Sequence, residues 1–219
     1  MRARDDVVPG ALALCGISRG AELALLLGAT YPAVKAVVAY APSGIVHRGL
    51  TAADRDGGPF QPAWTHRGAP VPFLTQGQSE PLWDGPPPRE PIALTPIFLR
   101  LLADEADVAR ATIPVERIGG PVLLVSGRDD AMWPSALFGD WVMARLRAHR
   151  RPYPDRHLCY DEAGHQLGPP YAPTTLTNGP RSAAEVSYAY GGTAAGTAHA
   201  CADSWPRVLQ FLDRQFGSG

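Results

Sequence analysis

Leu12-Ala13-Leu14-Cys15-Gly16-Ile17-Ser18-Arg19-Gly20-Ala21-Glu22-Leu23-Ala24-Leu25-Leu26-Leu27-Gly28 holds the pattern from which the fold follows. An apolar run stops at Gly16, a serine stands between two glycines, and a segment rich in helix formers begins. This reads as strand, tight turn and helix with G-x-S-x-G at the bend, an elbow that lifts a serine hydroxyl above the end of a sheet. Glycine is expected on both sides because neighbouring backbone leaves no room for a Cβ. The competing reading is a Gly-rich βα turn with a surface serine. The pattern alone arises by chance often enough that its strand-before, helix-after context carries the weight.

Outward from the elbow, Ala33 to Tyr40 reads as a buried strand closed by Ala41-Pro42-Ser43-Gly44. Strand, helix and strand within this length imply parallel pairing. Pro121-Val122-Leu123-Leu124-Val125-Ser126 is a second continuous apolar strand, ending in Gly127-Arg128-Asp129-Asp130. A helix is expected from about Pro134 to Arg147, with Leu137, Trp141, Val142 and Leu146 on its apolar face. His157 to Tyr160 is a short strand leading into Asp161-Glu162-Ala163-Gly164-His165, and an amphipathic helix from about Asp203 to Phe216 turns Val208, Leu209, Leu212 and Phe216 inward. Between about 45 and 91 periodicity fades into Pro- and Gly-rich sequence with Trp64, Phe73 and Trp83. It reads as a lid-like excursion over the sheet. Helical pattern returns from Ile97 to Arg110. The fold class is α/β: a mostly parallel sheet flanked by helices, in one domain spanning 1–219.

The charge balance, net −1, argues against a partner held by phosphate neutralisation, so no nucleic acid is expected. Lys35 is the only lysine, the remaining cations being arginines. No run approaches the roughly 20 apolar residues of a membrane span. Met1 to Asp6 lacks the form of a secretion signal, and the start of the chain leads into a strand. Cys15, Cys159 and Cys201 show neither a disulfide framework nor metal-ligand spacing. A cytoplasmic location, no metal and no cofactor are expected, with Cys15 and Cys159 as buried structural thiols.

Acyl transfer by a serine needs a nucleophile, a histidine base and a carboxylate that sets the histidine tautomer. In α/β hydrolases they follow in the order Ser, acid, His. Ser18, Asp130 and His165 meet that order, each just past a strand, on the side where open parallel sheets bind ligands. Asp129 is the alternative acid, and either aspartate alternatively caps the next helix. His47, His66, His149 and His199 read as surface or structural, and Asp161 and Glu162 as loop carboxylates.

The chain resembles the C-terminal domain shared by acyl-CoA thioesterases and bile acid-CoA:amino acid N-acyltransferase. The likeness runs through Gly16 to Leu23, Ile113-Pro114-Val115-Glu116-Arg117-Ile118 and Gly127-Arg128-Asp129-Asp130. It continues in Ala163-Gly164-His165, Pro169-Pro170-Tyr171-Ala172-Pro173, Tyr190-Gly191-Gly192 and the tail from His199 to Phe216 with Trp205. The resemblance implies an α/β-hydrolase fold, a triad of Ser18, Asp130 and His165, and an acyl thioester substrate with coenzyme A as the leaving group. In that family cysteine at the elbow accompanies amino-acid conjugation and serine accompanies hydrolysis, so hydrolysis of acyl-CoA to free acid leads. The backbone N–H of Arg19 is the expected first oxyanion donor. The second comes, in the family, from a loop upstream of the elbow strand, and only about ten residues precede that strand here. The usual N-terminal strands are therefore expected to be lacking: the chain is a C-terminal portion of a longer protein, or a partner segment or a second copy (a homodimer, if the chain stands alone) completes the sheet, or catalysis is impaired. The alternatives are an acyltransferase, an esterase or lactonase on another acyl carrier, or a hydrolase-fold binding module.

Overall fold

The elbow segment folds as strand β1 (Leu12–Ile17), a one-residue bend at Ser18, and helix α1 (Arg19–Thr30). Ser18 holds φ 57° and ψ −121°, in the left-handed half of backbone space that a non-glycine residue seldom occupies. Gly16 is required there, because a Cβ on it would overlap the carbonyl oxygen of Gly20. Gly20 is not: a Cβ on it meets no described atom, so the steric demand falls on one flank of the motif. The structure, a computed structural model, describes residue 10 and residues 12–49, 61–75, 88–180 and 186–217.

The next strands are β2 (Val34–Tyr40), the short antiparallel pair β3 (Thr65–His66) and β4 (Ala69–Pro70), β5 (Val122–Gly127) and β6 (Arg156–Tyr160). The helices are α2 (Thr95–Leu101), α3 (Glu105–Ala111), α4 (Ser135–Ala148) and α5 (Ala194–Phe216), with a 3₁₀ turn at Val115–Arg117. Among the described residues the main sheet has four strands in the order β1-β2-β5-β6, every pairing parallel. The α/β expectation holds.

Because side chains alternate along a strand, β2 and β5 feed two cores. Val37, Ala39, Val122 and Leu124 pack with Ala21 and Leu25 of α1 and with Val142 and Leu146 of α4. On the other face Val38, Tyr40, Leu123 and Val125 meet Ala200, Cys201 and Val208 of α5. Each fully buried aliphatic side chain contributes roughly 2 kcal/mol of transfer energy. A third cluster, Ile45, Leu74, Leu101, Ala111, Trp133 and Phe138, seats α2, α3 and the loop after β2 beside the upper end of β5.

Several expectations change. The helix expected over 97–110 is two helices, because Asp104 turns extended and its side chain accepts the Asp107 amide at 3.0 Å, capping α3. The last helix begins at Ala194, not near Asp203, since the Thr193 hydroxyl caps Gly196 N–H at 2.9 Å. Leu209 and Trp141 are exposed, and Phe138, wholly buried, takes the place assigned to Trp141. Cys15 is exposed and not a buried thiol, because β1 pairs only with β2 among the described residues. Cys159 is half-buried, whereas Cys201 is buried. Within the excursion, Trp64 and Phe73 pack against the α1-side core. Trp83, the segments 50–60 and 76–87, and the expected lead-in at residues 1–9 lie outside the described residues. Among the described residues no helix is long and apolar enough to cross a membrane.

Candidate active site

Three strand ends converge above the sheet. Ser18 leaves β1 with its amide donating to the Tyr40 carbonyl at 2.9 Å, while its own carbonyl accepts from Ala21 and Glu22 at 2.9 and 3.1 Å. The hydroxyl is thereby held at the mouth of α1, and the N–H of Arg19, first in the helix, has no intrahelical acceptor.

Past β5 the two adjacent aspartates part. Asp129 is exposed and uses its backbone N–H on the Ala163 carbonyl at 3.1 Å. Asp130 is buried; its Oδ1 accepts the amides of Met132 and Trp133 at 2.9 and 3.2 Å, and its carbonyl accepts the Thr95 hydroxyl at 2.8 Å. Past β6 the chain turns at Glu162, with φ 56°, and reaches His165. The carbonyl of Tyr190 accepts from both Ala131 N–H (3.2 Å) and His165 N–H (2.8 Å), so one oxygen sets the spacing of the two loops. Gly191 follows with φ +74°, and a Cβ there would overlap the Asp129 carbonyl oxygen.

The side chains meet. His165 Nε2 lies 2.8 Å from Ser18 Oγ, and His165 Nδ1 lies 3.0 and 2.9 Å from the two Asp130 oxygens. Asp130 and His165 are 5% and 6% exposed, so water competes little for these bonds. An ionised carboxylate only accepts, so Nδ1 carries the proton and Nε2 offers its lone pair to the serine hydroxyl. Trp133 closes one side of the imidazole edge-on at 5.7 Å and ties its indole N–H to the Ala41 carbonyl at 3.1 Å. Such an arrangement can take a proton from Ser18 and return it to a leaving group.

A second Ser-His-Asp set makes the contrast clear. Ser126 Oγ lies 2.6 Å from His157 Nε2, and His157 Nδ1 lies 3.1 Å from Asp140 Oδ1. Ser126 has no exposed surface and lies within β5, so no carbonyl can approach it. Burial also lowers the His157 pKa. This set fastens α4 to the sheet.

Under the elbow lies a buried polar cluster that the motif did not announce. Glu22 is wholly buried; it accepts from Arg19 Nη1 at 2.7 Å, Trp64 Nε1 at 2.6 Å and the His47 amide at 3.3 Å. Burial pushes its carboxyl up to about 7 against the pull of the Arg19 guanidinium. His47, expected as a surface or structural residue, is buried: its Nε2 meets Ser43 Oγ at 3.0 Å beside Phe98, Trp133 and Phe138. Burial, helped by Arg19, drops its pKa to about 3. The one available signal was position, since Glu22 falls among Ala21, Ala24, Leu25 and Gly28 on the buried side of α1.

The two shifts act oppositely on stability. Between about pH 3 and 6.5 the unfolded chain binds the His47 proton more readily than the folded one, so this contribution is lost as pH falls. Glu22 is held protonated more strongly in the folded chain, so its contribution is lost as pH rises from about 4.5 through about 7. His47→Gln is therefore expected to flatten the acid limb by up to about 1.4 kcal/mol per pH unit, measured as the difference from wild type in urea unfolding between pH 4 and 6.5. Parallel limbs in the two proteins contradict this account of His47.

The remaining histidines lie away from Ser18, Asp130 and His165: His66 is exposed on β3, His149 caps the end of α4 and His199 packs on Tyr160 at 6.1 Å. Asp161 pairs with Arg128 at the surface at 2.8 Å. Tyr171, within the Pro-Pro-Tyr segment, is fully exposed. Among the described residues no group of three metal-ligating side chains could hold an ion.

Comparison with solved structures places the fold among the α/β hydrolases. An acylaminoacyl peptidase of Pyrococcus horikoshii matches 99% of this chain and 26% of its own, with TM-score 0.54 and 10% identity. A puromycin-hydrolysing peptidase of Mycobacterium tuberculosis matches 97% and 23%, with TM-score 0.51 and 17% identity. Among curated proteins, the mitochondrial acyl-coenzyme A thioesterase 2 of Mus musculus is 28% identical over 218 residues, covering 100% of this chain and 43% of the relative. Acyl-coenzyme A thioesterase 1 of the same species is also 28% identical, with 47% of its length covered. The chain thus spans less than half the length of these relatives. The family model described as BAAT / Acyl-CoA thioester hydrolase C terminal matches residues 1–218, and with the fold in agreement the chain belongs to that family.

Proposed function

We propose that this chain is the α/β-hydrolase domain, residues 1–219, of a serine thioesterase that cleaves acyl-CoA to free acid and coenzyme A. The observation that carries the proposal is the continuous link from Ser18 Oγ through His165 to Asp130, at 2.8 and 2.9 Å, above three parallel strand ends. The thioester substrate is supported by family membership and by curated relatives named as acyl-coenzyme A thioesterases.

In this mechanism Ser18 Oγ attacks the thioester carbonyl while its proton passes to His165 Nε2. Asp130 holds the imidazolium through Nδ1–H, and the Arg19 amide donates to the oxygen that becomes negative. The C–S bond breaks, and His165 returns the proton to the departing thiolate. Water then attacks the acyl-serine ester with His165 as base, freeing the acid and restoring Ser18. Every step uses side chains and water, and the reading includes no cofactor. It places the protein in the cytoplasm, where free Cys15, Cys159 and Cys201 stay reduced. It also has a partner segment or second copy pairing along the side of β1 that no described strand covers, where Leu12 and Ile17 are 39% and 44% exposed.

The test is a fluorophosphonate probe with peptide mapping, run beside acyl-CoA and p-nitrophenyl ester assays. Labelling at Ser18 with acyl-CoA turnover is the expected result. Labelling with turnover of simple esters alone moves the reading to an esterase. No labelling of a folded protein overturns it in favour of a binding module.

A further inference from the structure

Arg19 is tied at both ends. Its amide opens α1 next to Ser18, while its side chain reaches Glu22 through Nη1 at 2.7 Å and the carbonyls of His47 and Arg48 through Nη2 at 3.1 and 2.8 Å. Glu22 closes the ring by accepting the His47 amide at 3.3 Å and the Trp64 indole N–H at 2.6 Å. The indole also lies beneath the guanidinium, 5.7 Å from its carbon to the ring centre. One wholly buried carboxylate thus joins the first turn of α1, the loop after β2 and the strand entry at Trp64. A leucine among Ala21, Ala24 and Leu25 would fill this space without burying a charge, which is costly unless every lone pair is matched. Glu22 therefore calls for an explanation other than packing.

We infer that Glu22 is a positioning residue that, through Arg19, fixes the direction of the Arg19 amide toward the oxygen of the acyl group on Ser18. The inference rests on the acyl-transfer reading above. Glu22 touches no reacting atom. It restrains the guanidinium, and the guanidinium restrains the backbone whose N–H opens the helix. Removing an oxyanion donor outright costs about a hundredfold to a thousandfold. A donor that is present but free to tilt costs less, so a loss of about 10- to 100-fold is expected.

The measurement is the rate and the end-point of fluorophosphonate labelling, with kcat and KM for an acyl-CoA. Glu22→Gln keeps the shape and an acceptor but ends the attraction for Arg19. It is expected to label about 10- to 100-fold more slowly, yet to reach the same end-point stoichiometry, with kcat reduced and KM within about threefold of wild type. A structural role alone would lower the end-point and leave the rate per folded molecule unchanged. Trp64→Phe removes one donor to the carboxylate from a half-buried position and serves if Glu22→Gln does not fold; a slowing of about 3- to 10-fold is expected. An unchanged rate in whichever variant folds overturns the role of Glu22 while leaving the acyl-transfer reading intact. Absence of labelling in wild type overturns that reading itself.

Discussion

Ser18→Ala is expected to abolish fluorophosphonate labelling and to lower acyl-CoA turnover by about 10⁴- to 10⁶-fold, with the fold intact. The size follows from losing the nucleophile: what remains is binding and oxyanion stabilisation, since His165 no longer has a hydroxyl to deprotonate. Stability should move little. The serine gives up one hydrogen bond, 2.8 Å to His165, worth about 1 kcal/mol, and alanine keeps the same awkward φ of 57°. Ser18→Gly separates the two properties further. Glycine adopts positive φ freely, so it should be more stable than Ser18→Ala by roughly 1 kcal/mol while being equally inactive. Thermal unfolding paired with turnover checks both claims. Turnover retained in Ser18→Ala beyond about one hundredth of wild type, in folded protein, would defeat the mechanism.

The bend at position 18 is legible in the sequence, and the reasons show what local pattern can carry. An elbow is written locally: a strand, a glycine two residues before the serine and a helix after it are contiguous, so the strand, bend and helix expected over Leu12 to Gly28 are the ones observed. The apolar runs of β2 and β5 were equally plain, because strands buried on both faces need no partner to declare themselves. The sequence favours Asp130 over Asp129 only weakly, because the contacts that separate the two, with the Met132 and Trp133 amides and with His165, span up to 35 residues. Expectation and structure part where tertiary context overrides local pattern. Trp141 has the right spacing for a core face, but Phe138, one turn earlier, fills the space under Trp133 and Ile45. Cys15 looked buried because its run is apolar, and only the pairing of β1 reveals its exposed side. The start of α5 is not legible in the sequence because Ala194-Ala195-Gly196-Thr197 carries no amphipathic signal, and a hydroxyl cap at Thr193 begins it. Glu22 is the deepest omission: its partners lie at positions 19, 47 and 64, and a buried carboxylate is recognisable only once they converge.

Asp130→Asn tests the hydrogen-bond direction on which the base depends. Asp130 Oδ1 accepts two backbone amides, from Met132 and Trp133, while Oδ2 lies 2.9 Å from His165 Nδ1. Asparagine fits the same space, but the two amides demand an acceptor, so its carbonyl oxygen must take the Oδ1 position. Its NH₂ group then occupies the Oδ2 position and donates to Nδ1. The imidazole is forced into the tautomer with the proton on Nε2, facing Ser18 Oγ 2.8 Å away, where a lone pair is needed. No large group moves and no cavity opens, so the loss is one of proton direction. The expected result is a fall in kcat of about 10⁴-fold near neutral pH, with KM little changed. Activity should recover partly at high pH, where hydroxide lessens the need for a protein base. Asp130→Ala differs: it leaves the Met132 and Trp133 amides without their acceptor in a buried turn, adding about 1–3 kcal/mol of destabilisation to the catalytic loss. Asp129→Asn, one residue away and exposed, should leave turnover within about threefold of wild type. Equal losses from the two asparagine variants would show that the carboxylate at 130 does not orient the base.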